Sequence, residues 1–168
     1  YIARVKGSLN DPDGGVRGTA LQAIGSQTEA PDMAIPFLLA ALEENDEHMA
    51  SAAAKLLADF GTNGLRAFGA LSNAVEQGRP AVANQALRTL VILAPKEALP
   101  IVFAGLRSPD PQRRRAAVRR LCAYPVTTPE IRAALEGAAA DADPQASRMA
   151  KEFITKLYRA GLPDEMLI

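Results

Sequence analysis

An alanine-centred pattern recurs five times along the chain at nearly constant spacing. The alanines are separated by 33, 33, 31 and 33 residues, and four residues after each of them comes an isoleucine or a leucine. Residues four apart lie on one face of a helix, so each pair predicts a buried helix face. A period of this length is the signature of stacked helical repeats. The alanines are Ala20, Ala53, Ala86, Ala117 and Ala150.

Other apolar residues precede each alanine and predict a second helix in every repeat. Eleven residues before the alanines stand Leu9, Leu42, Val75, Leu106 and Ala139. Four residues earlier stand Val5, Leu38, Leu71, Val102 and Leu135. Each repeat is therefore predicted to contain a helix A and a helix B, with the small alanine where helix B comes closest to its neighbours.

The start of each helix B is marked by the residue types that begin helices. An aspartate precedes the helix in four of the five repeats, where its carboxylate can accept hydrogen bonds from free backbone N–H groups. The predicted capping residues are Asp13, Asp46, Arg79, Asp110 and Asp143. The predicted first residues of helix B are Gly14, Glu47, Pro80, Pro111 and Pro144, and proline suits this position. Helix breakers such as Ala30-Pro31 and Ala94-Pro95 separate the repeats.

The segments DPDGGVRGTALQAIG and SPDPQRRRAAVRRL resemble the second-helix signature of short bacterial HEAT repeats related to those of phycobilisome lyases. The resemblance covers nearly the whole chain. It implies an all-α fold, an α-solenoid of about five two-helix repeats with a right-handed superhelix. Tetratricopeptide repeats have a similar period, but the chain has no tryptophan for their first-helix signature, and the ankyrin turn motif is absent.

We expect one repeat domain over residues 1–168, with repeats at about 1–33, 34–64, 65–95, 96–128 and 129–161. The tail at 162–168 is expected either to fold back on the last repeat or to bind elsewhere as a short linear segment. Because the first residue is Tyr1 and not methionine, we expect the chain to be part of a longer protein. The first repeat lacks the polar outer face that terminal repeats normally carry. No leader-like segment opens the sequence, so cytoplasm is the default expectation.

The composition offers little for catalysis or for cofactor binding. The single cysteine, Cys122, follows a core position and is interpreted as a packed residue. The single histidine, His48, lacks partners at the spacing of a metal site. The charges balance at 19 basic and 19 acidic residues, and 5% aromatic content leaves few stacking platforms for nucleic acid. We predict no cofactor and no metal, disfavour a nucleic-acid partner, and find no apolar stretch long enough for a membrane span.

Enzymes with HEAT-like folds are the alternative to a non-catalytic role. Iron-binding helical-repeat hydroxylases have paired His-Glu dipeptides, and the related DNA glycosylases have a tryptophan-bearing cleft; neither feature occurs here. Chromophore lyases lack a compact catalytic motif, so this class stays open. An accessory subunit of a bilin chromophore lyase is therefore the alternative function, ahead of a DNA-binding module.

Two polar columns on helix B, two residues before and two residues after the alanine, share one helical face. The resemblance implies that this face lines the concave surface of the solenoid. Guanidinium groups pair well with carboxylates, so the predicted partner is a protein with an acidic or polar surface. A merely solvated face is the alternative. The predicted partner-binding residues, named here the basic ridge, are Lys55, Arg88, Arg115, Arg119 and Arg148.

Other arginines have structural interpretations. Arg17 and Arg114 lie four residues after Asp13 and Asp110, a spacing that resembles the Asp-to-Arg ladder joining adjacent repeats in related families. Arg113 falls in a column that is otherwise apolar or small. Either its stem packs while its charge reaches solvent, or the fourth repeat is displaced, which the 31-residue spacing favours.

Overall fold

The computed structural model describes residues 2–124 and 127–159, and its regular structure is helical. No strand occurs within these two ranges. The predicted all-α fold is therefore confirmed, while the predicted tail lies outside the described residues. The chain divides into two compact units, Tyr1–Pro95 and Lys96–Ile168. This boundary coincides with the predicted junction between the third and fourth repeats.

The first unit contains the first three repeats. Its elements are α1 (Ile2–Val5), a 3₁₀ helix (Lys6–Asn10), α2 (Gly14–Gly25), α3 (Pro31–Leu42), α4 (Glu47–Leu57), a second 3₁₀ helix (Ala58–Ala67), α5 (Phe68–Gln77) and α6 (Pro80–Leu93). Helices α2, α4 and α6 are the B helices, and each begins at its predicted residue. The predicted helix A of the first repeat is not continuous, because α1 gives way to a 3₁₀ helix after one turn.

The second unit contains the last two repeats. Its elements are α7 (Pro95–Leu106), which begins at the last residue of the first unit, α8 (Pro111–Cys122), α9 (Pro129–Ala138) and α10 (Pro144–Arg159). Helices α8 and α10 are the B helices and also begin at their predicted residues. The spacing between the central alanines Ala86 and Ala117 is 31 residues, shorter than the others. The connection between the third and fourth repeats is short, since Ala94 alone separates α6 from α7. Arg113 is half-buried in the first turn of α8.

Aspartate caps fix where the B helices start. The Oδ1 atom of Asp13 accepts a hydrogen bond from the Gly15 N–H at 2.7 Å, and that of Asp110 accepts one from the Gln112 N–H at 2.8 Å. Asp46 and Asp143 cap α4 and α10 in the same way. Arg79 makes no side-chain cap bond at the start of α6. The capping prediction is thus confirmed in the four repeats that carry aspartate.

The central alanines lie where helices pack most closely. Each is at most 3% exposed. In the first unit α2 packs on α4 and α4 on α6, and in the second unit α8 packs on α10. A Cβ atom built on Gly105 of α7 would lie 3.0 Å from the Cβ of Ala117, so even a small side chain would crowd this crossing. The buried residues of these two helices are Ala98 and Val102 of α7 and Ala116, Ala117, Val118 and Leu121 of α8.

Candidate partner-binding surface

Two exposed cations lie on neighbouring B helices of the first unit. Lys55 is on α4 and Arg88 is on α6, and both occupy the column two residues after the central alanine. Neither forms an ion pair or hydrogen bond within the part of the chain that the structure describes. Their charges are therefore available to a partner in this structure.

A buried hydrogen bond joins the two helices directly beside these cations. The Thr89 hydroxyl donates to the carbonyl oxygen of Ala54 at 2.7 Å, and Thr89 is 0% exposed. Because Thr89 follows Arg88 and Ala54 precedes Lys55, the bond fixes the register of α6 against α4 at the level of both charges. Sequence reasoning did not identify Thr89. The sequence feature that could have indicated it is the hydroxyl side chain of Thr89, at the position equivalent to the apolar Leu56 in the preceding repeat.

The ridge residues of the second unit have different surroundings. Arg119 is exposed on α8. Arg115 is half-buried, and its Nε and Nη2 atoms each donate to a carboxylate oxygen of Asp143 at 2.7 Å. Asp143 is only 7% exposed, so this bidentate pair lies at the packed junction of α8 and α10. Arg148 is exposed on α10, with its Nε atom 4.0 Å from Oε1 of Glu152. Arg115 thus has a partner within the protein.

Arg17 joins the first repeat to the second. Its Nη2 atom donates to Oδ2 of Asp46 at 2.7 Å, while its Nη1 atom donates to the carbonyl oxygens of Asp11 and Pro12. The ladder interpretation is confirmed, and its acceptor is the capping aspartate of the following repeat. One carboxylate therefore caps α4 and also binds the preceding repeat.

Arg114 has the same role in the second unit. Its Nε atom lies 2.9 Å from Oδ2 of Asp141, and its Nη1 atom donates to the carbonyl oxygens of Ser108 and Pro109. Arg114 and Arg115 together bind two aspartates in the loop before α10. Two of the arginines at the start of α8, Arg114 and Arg115, thus join the fourth repeat to the fifth.

Arg79 explains why the third repeat lacks a capping aspartate. Its guanidinium donates to the carbonyl oxygens of Asn45 and Glu44, in the loop that precedes α4. The contact between the second and third repeats is therefore made by a side chain that reaches backwards along the chain. Arg79 thus does not cap α6 but joins the third repeat to the second.

The family model of HEAT repeats matches residues 3–72. The fold is also similar to that of a chain in the structure of the complex of CpcE and CpcF of phycocyanin lyase from Nostoc sp. PCC7120. The TM-score is 0.68 at 19% sequence identity, over 91% of this chain and 97% of that chain. The fold of the chain is therefore an all-α solenoid, and residues 3–72 match HEAT repeats. The predicted resemblance is thereby confirmed, and no match to the sequence was found among curated proteins.

The remaining candidate groups of the sequence are Cys122 and His48. Burial raises the pKa of the Cys122 thiol to about 11, so the sulfur is protonated at neutral pH and is a poor nucleophile. His48 is exposed in the first turn of α4. Within residues 2–124 and 127–159, no three potential ligands are grouped to hold a metal ion. No helix in the same ranges is long and apolar enough to cross a membrane.

The arginine contacts lower the pKa of three aspartates. A hydrogen bond from Arg17 is the main cause of the lowered pKa of Asp46. Hydrogen bonds from Arg114 and Arg115 have the same effect on the pKa of Asp141 and Asp143, respectively. All three carboxylates are therefore charged at neutral pH, and the contacts between HEAT-like repeats depend on that charge.

Acid is expected to remove the contribution of Asp46 to stability. Because its pKa is lower in the folded chain than the ordinary value of 3.8, the contribution is complete above that pH and is lost as the pH falls below it. We expect Asp46→Asn to lower the melting temperature at pH 7, since asparagine still caps the helix but cannot pair its charge with Arg17. The difference from wild type should shrink towards zero as the pH is lowered through this range.

Thermal unfolding followed by circular dichroism at a series of pH values measures this difference. Asp59→Asn is the matched control, because Asp59 is exposed and caps no helix. A wild-type advantage over Asp46→Asn that stays constant from pH 7 to acid would show that the ion pair does not contribute.

Proposed function

We propose that this HEAT-like solenoid is a non-catalytic scaffold that binds a protein partner on the exposed face of its B helices. The observation that supports this most is the pair of exposed cations Lys55 and Arg88. The two adjacent helices that carry them are held in register by the bond between Thr89 and Ala54. A fixed pair of unsatisfied charges favours a partner with carboxylates on its surface, because little conformational freedom of the helices is lost on binding.

The residues of the basic ridge contribute unequally to this proposal. In the first unit Lys55 and Arg88 are exposed and are the main contact residues, and in the second unit Arg119 is exposed. Arg115 would have to leave Asp143 to bind a partner, and removing a cation from a buried carboxylate is costly. Arg148 is exposed and is also assigned to the ridge, although Glu152 lies close to it.

Affinity capture from the native lysate tests the proposal. A variant carrying Lys55→Ala and Arg88→Ala is compared with a control carrying Lys96→Ala and Arg107→Ala. The control loses the same charge from two exposed positions, one in the first turn of α7 and one directly after its last residue. We expect wild type and the control to capture a common partner, and the first variant to lose it. Capture should weaken as salt is raised, because exposed charges are screened. The same proteins captured by all three would contradict the proposal.

An accessory subunit of a bilin chromophore lyase is the second candidate. Its support is the similarity in fold to a chain of the phycocyanin lyase complex, which covers 97% of that chain. In this role the protein would bind a bilin or the protein that accepts it. Absorbance spectra of the purified protein with and without added bilin distinguish the two functions. No spectral change and no retained bilin would exclude this candidate.

A further inference from the structure

An exposed isoleucine lies one helical turn from a cation of the first unit. Ile92 of α6 is 56% exposed, whereas Leu90 and Val91 of the same helix are at most 9% exposed. Arg88 stands four residues before Ile92, so the two side chains share one face of the helix. The exposed face of α6 therefore presents a cation and an apolar side chain in consecutive turns.

The repeat pattern does not account for an isoleucine at this position. Six residues after the central alanine, all five repeats have an exposed residue, and in the other four it is polar, charged or small. Single exposed apolar residues are ordinary in proteins, but this one adjoins an unpaired cation. The column consists of Ser26, Asp59, Ile92, Ala123 and Lys156. Ile92 is thus a surface residue by its place in the repeat, and a partner is needed to cover it.

The electrostatic surroundings of Ile92 favour a partner that carries carboxylates. The sequence of α6 contains no acidic residue that could neutralise Arg88 along the helix. Lys55 of α4 lies at the level of Arg88, because the hydrogen bond from the Thr89 hydroxyl to the Ala54 carbonyl oxygen joins the two helices there. A segment that covers Ile92 is therefore next to two cations, and carboxylates in that segment are attracted to them.

The spacing along α6 matches that of an extended peptide. Four residues of an α-helix rise by about 6 Å, which is the axial distance from Arg88 to Ile92. Side chains on one side of an extended chain are about 6.6–6.8 Å apart, since they alternate between its two sides. A carboxylate bound to Arg88 thus places the side chain two positions away over Ile92. The long side chain of Lys55 can bind the carboxylate of an adjacent acidic residue.

We propose that the partner is bound through an extended acidic segment with an apolar residue two positions from an acid, and that this apolar side chain packs on Ile92. The inference rests on the proposed function, since Lys55 and Arg88 hold the carboxylates. It adds a source of selectivity to that function. The cations attract any acidic segment, whereas the contact with Ile92 distinguishes between segments of equal charge.

Fluorescence polarisation of labelled synthetic peptides tests this selectivity, with the full chain titrated up to about 1 mM. The probe has the sequence Leu-Gly-Glu-Glu-Gly-Leu, which places a leucine two positions from an acid in either chain direction. A second peptide has serine in place of leucine. We expect wild type to bind the leucine peptide about fivefold more tightly, because its apolar side chain is covered. Ile92→Ser should abolish this preference by weakening binding of the leucine peptide alone.

Met33→Ser is the matched control for the loss of an exposed apolar side chain. Met33 is 52% exposed in the same unit, but it lies on α3, which is not a B helix. We expect this variant to keep the preference for the leucine peptide. Equal binding of the two peptides by wild type would overturn the inference, and so would a preference that survives Ile92→Ser.

The variant carrying Lys55→Ala and Arg88→Ala separates this inference from the proposed function. Loss of both peptides in this variant supports the role of the cations, even where Ile92→Ser has no effect and the inference fails alone. Unchanged binding of both peptides would contradict the role of the cations and the inference together. Absence of binding of either peptide to wild type up to about 1 mM would also overturn the inference, while the capture experiment still decides the proposed function.

Discussion

Leu57→Ala is expected to lower the free energy of unfolding by about 2–5 kcal/mol. Leu57 is 0% exposed at the end of α4, the helix that packs against α2, α3 and α6. Truncation to alanine removes buried methyl groups and leaves a cavity that three neighbouring helices cannot close without moving. The effect is large because α4 lies at the centre of the first unit.

Chemical denaturation followed by circular dichroism measures this loss. Leu65→Ala is the matched control, because Leu65 belongs to the same unit but is 42% exposed. We expect the control to lose much less stability, since its side chain gives up less burial on truncation. Equal losses for the two substitutions would mean that α4 is not the packed centre of this unit.

Ala86→Leu is expected to cost about 1–3 kcal/mol of stability by overpacking. Ala86 is 0% exposed on α6, which packs on α4 and α5. A leucine there has no space unless the helices separate. We also expect weaker capture of the proposed partner, because movement of α6 breaks the register that the Thr89 bond sets for Arg88 and Lys55.

Ala81→Leu distinguishes crowding from a general effect of leucine in α6. Ala81 lies on the same helix and is exposed, so the substitution should change stability by no more than about 0.5 kcal/mol. Stability and partner capture are measured on both variants. Equal stability of the Ala86→Leu and Ala81→Leu variants would contradict this prediction. It would show that the helices do not approach closely enough at Ala86 to require a small side chain there.

The helices could be predicted because their signals are local. A capping aspartate, a proline at the first helical position and apolar residues four apart act within a few residues of each other. Every helix B therefore begins where the sequence predicts. The first helix A was predicted less well, since the 3₁₀ helix Lys6–Asn10 replaces its second half in a segment with a glycine and no capping residue.

The pairing of charges could be predicted only in part, because it depends on contacts between repeats. Arg17 was expected in a ladder, but its acceptor, Asp46, is 29 residues away. Arg115 was assigned to the partner surface, and its bond to Asp143, 28 residues away, became visible only in the structure. Helical spacing places a residue on a face but does not say which neighbouring repeat reaches it.

The carboxylates of Asp46 and Asp143 each cap their own helix and bind an arginine of the preceding repeat. Repeats joined in this way are not interchangeable units. A repeat inserted between α8 and α10 would need both an acceptor for Arg115 and a donor for Asp143 to keep the junction intact. We therefore expect related chains to gain or lose whole repeats at junctions that lack such a shared residue, and the order of the others to persist during evolution.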